Sequence, residues 1–96
     1  MRKLEEVRQD LDKIDKKFIE LFLQRMSLSE EIALIKEDTD KEIKDKSREE
    51  AVQEEFRNGT EDIYLGEALQ RLAVFLMKES REYQAEILRK GIEEKE

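Results

Sequence analysis

Arg25 interrupts an apolar stripe in which Leu4, Val7, Leu11, Ile14, Phe18 and Leu21 precede it and Leu28, Ile32 and Ile35 follow. Steps of three and four residues make this the seam of a helix packed against other helices. A guanidinium in such a seam cannot shed its proton and is costly to bury unpaired, so either a protein carboxylate meets it or an anionic ligand does. Lys36 lies about 20° from Arg25 in azimuth and roughly 16 Å farther along the axis, so the two long side chains can converge on something between them. Asp45, Arg48 and Glu49 fall at i, i+3 and i+4 on the side of a second helix that carries Val52 and Phe56. Ser80 and Gln84 stack four residues apart on the apolar face of a third. Taken singly, each has a structural explanation: Arg25 could bridge to Glu49 and fix helix register, and Gln84 could be a polar seam residue that sets oligomer state. Taken together, an excess of cations with a hydroxyl and an amide points to a pocket for an anion.

Composition removes other chemistries. The chain has no cysteine, which excludes disulfides and thiolate metal sites, and no histidine, which removes the usual general base and the commonest zinc ligand. Its net charge of −7 argues against nucleic acid or an anionic membrane as partner. An anionic small molecule must therefore find a local cationic pocket. No stretch approaches the roughly 18 apolar residues of a membrane span, and the charged start "MRKLEEVRQD" has no apolar signal core, so a cytoplasmic location is expected.

The elements that must position these residues are helices. With 96 residues, no proline, three glycines and 47% charged residues, the chain reads as one all-α domain, residues 1–96, too short to bury a large core without another copy. The periodicity predicts helices over about residues 3–37, 46–57 and 61–91, the last fraying after Gly91. Between them lie the connection 37–45 and the break "NGT", a glycosylation sequon read here as a turn. Ser47-Arg48-Glu49-Glu50 matches a capping box at the second helix start. Arg8 lies beside the same seam but about 25 Å from Arg25 along the helix, out of reach of the pocket within its own chain, and an antiparallel partner helix could bring it there.

Arg8, the segment "LDKIDKKFIELFLQR" ending in Arg25, Lys36, the run "KDKSRE" with Asp45, Arg48 and Glu49, and "ESREYQ" with Ser80 and Gln84 together resemble the all-helical chorismate mutases. The likeness covers almost the whole chain, at the length of a free-standing mutase domain. It implies an intertwined helical homodimer of three-helix chains with a long first helix, each active site borrowing Arg8 from the partner chain. It also implies a Claisen rearrangement of chorismate to prephenate, in phenylalanine and tyrosine biosynthesis, with no cofactor and no metal. By the same resemblance Arg25 and the borrowed Arg8 bind the substrate carboxylates with Ser80 assisting, and Lys36 and Gln84 hydrogen-bond the ether oxygen. Glu49 and the backbone at Asp45 hold the ring hydroxyl, and Arg48 is a supporting charge at the edge. Two other readings compete: a pericyclic enzyme like isochorismate pyruvate lyase, and a non-catalytic helical dimerisation module whose buried charges only specify pairing.

Overall fold

A computed structural model describes residues 1–39 and 44–95 as three helices: α1 (Leu4–Thr39), α2 (Lys46–Arg57) and α3 (Ile63–Lys95). No strand occurs among the described residues, so the fold is all-α with a long first helix. Residues 40–43, within the expected first connection, lie outside the described residues.

No glycine or proline interrupts α1, and Glu5 and Glu6 in its first turn and Lys36 in its last complement the helix dipole. Its 36 residues run about 54 Å at 1.5 Å per residue. The cap of α2 differs from the expected capping box. Asp45, in extended backbone at φ −118° and ψ 94°, is the N-cap, and its carboxylate accepts the Arg48 backbone N–H at 3.0 Å, leaving Ser47 inside the first turn. A carboxylate at the positive end of the helix outcompetes a hydroxyl two residues on. At the other end the Asn58 N–H returns to the Glu54 carbonyl and the Gly59 N–H to that of Phe56, both at 3.0 Å. Asp62 caps α3 by accepting the Leu65 N–H at 2.9 Å.

Instead of fraying after Gly91, α3 continues to Lys95. Arg89 pairs there with Glu86 at 2.5 Å, one turn before the glycine, and with Glu93, an i,i+4 ion pair that spans it. Its guanidinium also holds the Glu86 carboxyl below the usual carboxylate range.

α1 and α2 each pack on α3 and not on each other. Val52 of α2 meets Ala73 and Met77 of α3, with Phe56 against them, while Ala33 of α1 is fully buried. Met77 is buried in this core, whereas Leu65, near the start of α3, is 52% exposed. The seam of α1 is uncovered in the single chain: from Leu4 to Ile35 its apolar members are between 39% and 64% exposed. The outline is correspondingly long, 61 × 28 × 14 Å, with a radius of gyration of 17.3 Å. A compact chain of this length would have about 12–13 Å. No helix among the described residues is long and apolar enough to cross a membrane.

Two glycines test the α2–α3 contact. A Cβ on Gly66 would stand 2.8 Å from the Arg57 carbonyl oxygen, whereas one on Gly91 would meet nothing within 4 Å. Gly91→Ala should therefore raise stability by up to about 1 kcal/mol through helix propensity. Gly66→Ala should lower it by about 1–3 kcal/mol, because a backbone oxygen has to move. Urea titrations at fixed chain concentration measure both, and equal gains in the two variants would disprove close packing at Gly66.

Candidate active site

The gap between α1 and α2, floored by α3, is a cavity of about 330 Å³. α1 contributes Arg25, Ser29 and Lys36, α2 contributes Asp45, Arg48 and Glu49, and α3 contributes Ser80, Arg81 and Gln84. Leu28, Ile32, Val52 and Met77 give it an apolar wall. Seven of the eight residues singled out in the sequence thus line one cavity, and the eighth, Arg8, stands exposed and outside it.

Helix geometry accounts for the convergence. Arg25, Ser29 and Lys36 fall within about 40° of one another in azimuth. Ser80 and Gln84 are one turn apart on the buried face of α3, 8% and 5% exposed. Capping at Asp45 puts Arg48 and Glu49 in the first turn of α2, at the cavity's edge.

The hydrogen bonds inside run in one direction. Ser29 Oγ donates to the Arg25 carbonyl oxygen at 3.1 Å, and a hydroxyl has only one proton to give. Ser29 therefore accepts from Ser80 Oγ, 2.5 Å away, and Ser80 in turn accepts the Gln84 side-chain N–H at 3.1 Å. This leaves Gln84 with a second N–H to offer. Its Oε1 is buried and has no hydrogen-bond partner among the described residues.

The charges are arranged so that a cation is left over. Glu49 does not bridge to Arg25. Its Oε1 accepts from Arg81 Nη1 at 2.5 Å, across from α3. The Asp45 carboxylate is engaged as the α2 cap. Among the described residues no carboxylate pairs with the half-buried Arg25 guanidinium. The lining holds Arg25, Lys36, Arg48 and Arg81 with Asp45 and Glu49, and Arg25 is a cation there that no carboxylate among the described residues meets. Such a cavity suits an anion with an apolar body. It offers hydrogen-bond donors of fixed direction and no histidine or cysteine to act as base or nucleophile.

Ser29 and Arg81 are the site residues that sequence reasoning missed. Ser29 sits one turn after Arg25, but in the run "SLSEE" it reads as part of a solvated face. Arg81 likewise sits in "ESREYQ" among other charges, and only the crossing of α3 over α2 gives it Glu49 as partner.

The family model described as chorismate mutase type II matches residues 7–85, a span that contains every position from Arg8 to Gln84 discussed above. No curated protein and no solved structure matches the chain.

An arginine without a carboxylate partner is not holding the fold together. Arg25→Leu should fold with its helix content intact and with stability unchanged or raised by up to about 2 kcal/mol, since it removes a charge from an apolar seam. Thermal melting followed by circular dichroism gives the answer, and a loss of more than about 1 kcal/mol would mean that the guanidinium has a structural partner.

Proposed function

The chain belongs to the chorismate mutase type II family and is an isomerase that converts chorismate to prephenate, and we propose that the cavity between its three helices is where it does so. One observation carries this reading: Arg25, half-buried in the cavity wall, is matched by no carboxylate among the described residues, which leaves its charge for an anionic ligand. Chorismate brings two carboxylates. The rearrangement breaks a C–O bond while a C–C bond forms in one cyclic transition state, so no proton is transferred and no nucleophile is needed. The protein has to hold the dianion in its compact conformer and place donors where negative charge grows on the ether oxygen.

In this reading Arg25 takes a substrate carboxylate with Ser80 assisting, while Lys36 and the free N–H of Gln84 address the ether oxygen. Glu49 and the Asp45 backbone hold the ring hydroxyl, and Arg48 guards the edge. Arg8 of the partner subunit completes the site in an intertwined homodimer. Two features support the dimer: the α1 seam is exposed along its whole length in one chain, and Arg8 stands about 25 Å from Arg25 on an unbroken helix. The whole chain then acts as one mutase domain, in the cytoplasm, in the branch of the shikimate pathway that leads to phenylalanine and tyrosine.

Chorismate consumption with identification of the product tests the assignment, and Gln84 tests the mechanism. Gln84→Ala should lower kcat on the order of 10²- to 10³-fold, the loss expected for a transition-state donor. Gln84→Glu should gain activity as pH falls, because only the protonated acid donates; a pH-independent Gln84→Glu would remove the contact with the ether oxygen.

The shared site has its own test. Arg8→Ala and Arg25→Ala should each be nearly inactive, yet the two unfolded and refolded together should recover activity. Random pairing makes half the dimers mixed, and each mixed dimer has one whole site, so recovery should approach about a quarter of the parent for a two-fold dimer. Refolded mixtures that stay inactive although chains have exchanged would confine Arg8 to its own subunit.

A further inference from the structure

We propose that Arg81 is a positioning residue for the rearrangement: it fixes the Glu49 carboxylate across the α2–α3 crossing and leaves one oxygen of that carboxylate for the substrate. The proposal rests on the reading that Glu49 receives the ring hydroxyl. Arg81 Nη1 donates to Glu49 Oε1 at 2.5 Å, and no other hydrogen bond engages the Glu49 carboxylate among the described residues, so Oε2 is open. The pair is well shielded, with side chains 30% and 18% exposed, and both residues line the cavity.

Two features of the fold make this bond matter. The first is mechanical. α2 is 12 residues long, packs on α3 alone, and is anchored there by Val52 and Phe56, which lie one and two turns beyond Glu49. The first turn, which carries Arg48 and Glu49 behind the Asp45 cap, has no buried apolar residue of its own. Arg81 ties this turn to the helix that carries Ser80 and Gln84. The second feature is electrostatic. An unpaired Glu49 would be a carboxylate facing Arg25 and Lys36 across the same cavity, in competition with the carboxylates of the substrate. By engaging Glu49 from α3, Arg81 keeps Arg25 available.

Arg81 touches no reacting atom in this scheme, so its effect must pass through Glu49. A double-mutant cycle reads this directly. Arg81→Met, which keeps the length of the stem, should lower kcat/KM for chorismate on the order of 10- to 10²-fold, the scale for a mispositioned contact. Arg81→Lys should recover part of that loss. Once Glu49 is already alanine, Arg81→Met should cost little more. Losses that simply multiply, with Glu49→Ala itself impaired, would overturn the positioning role and leave the reading of Glu49 intact. A Glu49→Ala enzyme as active as the parent would overturn both. Circular dichroism of each variant completes the test, since an Arg81→Met chain that no longer folds would show the bond to be structural and overturn the proposal.

Discussion

Because α1 and α2 both lie on α3 and not on each other, the chain has a gap where a three-helix bundle would have its core. Apolar side chains would close such a gap. Here Arg25 and Lys36 from one wall face Arg48 and Glu49 from the other, and burying that set without a counter-ion is unfavourable. Among the described residues the buried apolar core is reduced to Ala33, Val52, Ala73 and Met77, with Phe56 packed beside the last three, too little for a chain with this much apolar surface. The exposed α1 seam runs on from the cavity, since Arg25, Leu28 and Ile32 of the same stripe form its wall, and in the proposed homodimer a second α1 covers the rest.

Much of this was legible in the sequence, for identifiable reasons. An arginine in a three-four stripe is conspicuous because the rule it breaks is strong, and the fixed rotation of a helix then relates Lys36 to it without any tertiary information. The i, i+3, i+4 spacing did the same for Asp45, Arg48 and Glu49. Features that depend on how helices cross were not legible. Glu49 had Arg25 as its candidate partner in the sequence, and only the placement of α2 on α3 gives it Arg81 instead. Met77 entered the core for the same reason. Ser29 was hidden by its neighbours, since a serine beside Glu30 and Glu31 carries no mark of burial, yet it is 3% exposed. Helix ends moved where local chemistry competed, with Asp45 displacing Ser47 as cap and the Arg89–Glu93 pair bridging Gly91 within α3.

In the proposed mechanism the direction of the hydroxyl relay gives Ser29 and Ser80 a bearing on catalysis beyond filling space. With the Ser29 proton on the Arg25 carbonyl, Ser80 has to donate to Ser29 and can only accept from Gln84. That fixes which end of the Gln84 amide faces Ser80, so the side chain is oriented before any ligand arrives. Donors already aimed need no reorganisation as charge develops, which is where such groups contribute most. An amide has the further advantage that its N–H is present at every pH.

In the proposed arrangement binding and catalysis separate along the cavity. The chain as a whole carries a charge of −7, so it does not draw a dianion from a distance, and attraction starts only within a screening length of the local cation excess, about 8–10 Å. Prephenate is an isomer of chorismate with the same two carboxylates. Arginines that hold those carboxylates stabilise substrate, transition state and product alike, and uniform binding of that kind concentrates the compact conformer without lowering the chemical barrier. The barrier must fall through groups that sense what changes during the reaction, which is the charge on the ether oxygen. In the proposed arrangement only Lys36 and Gln84 sense it, one a full charge on a flexible stem and the other a neutral donor held by the serine relay. With Glu49 engaged by Arg81 and Asp45 by the α2 backbone, Arg25 is left in this arrangement to the substrate, so the group that binds stays distinct from the two donors that sense the reaction.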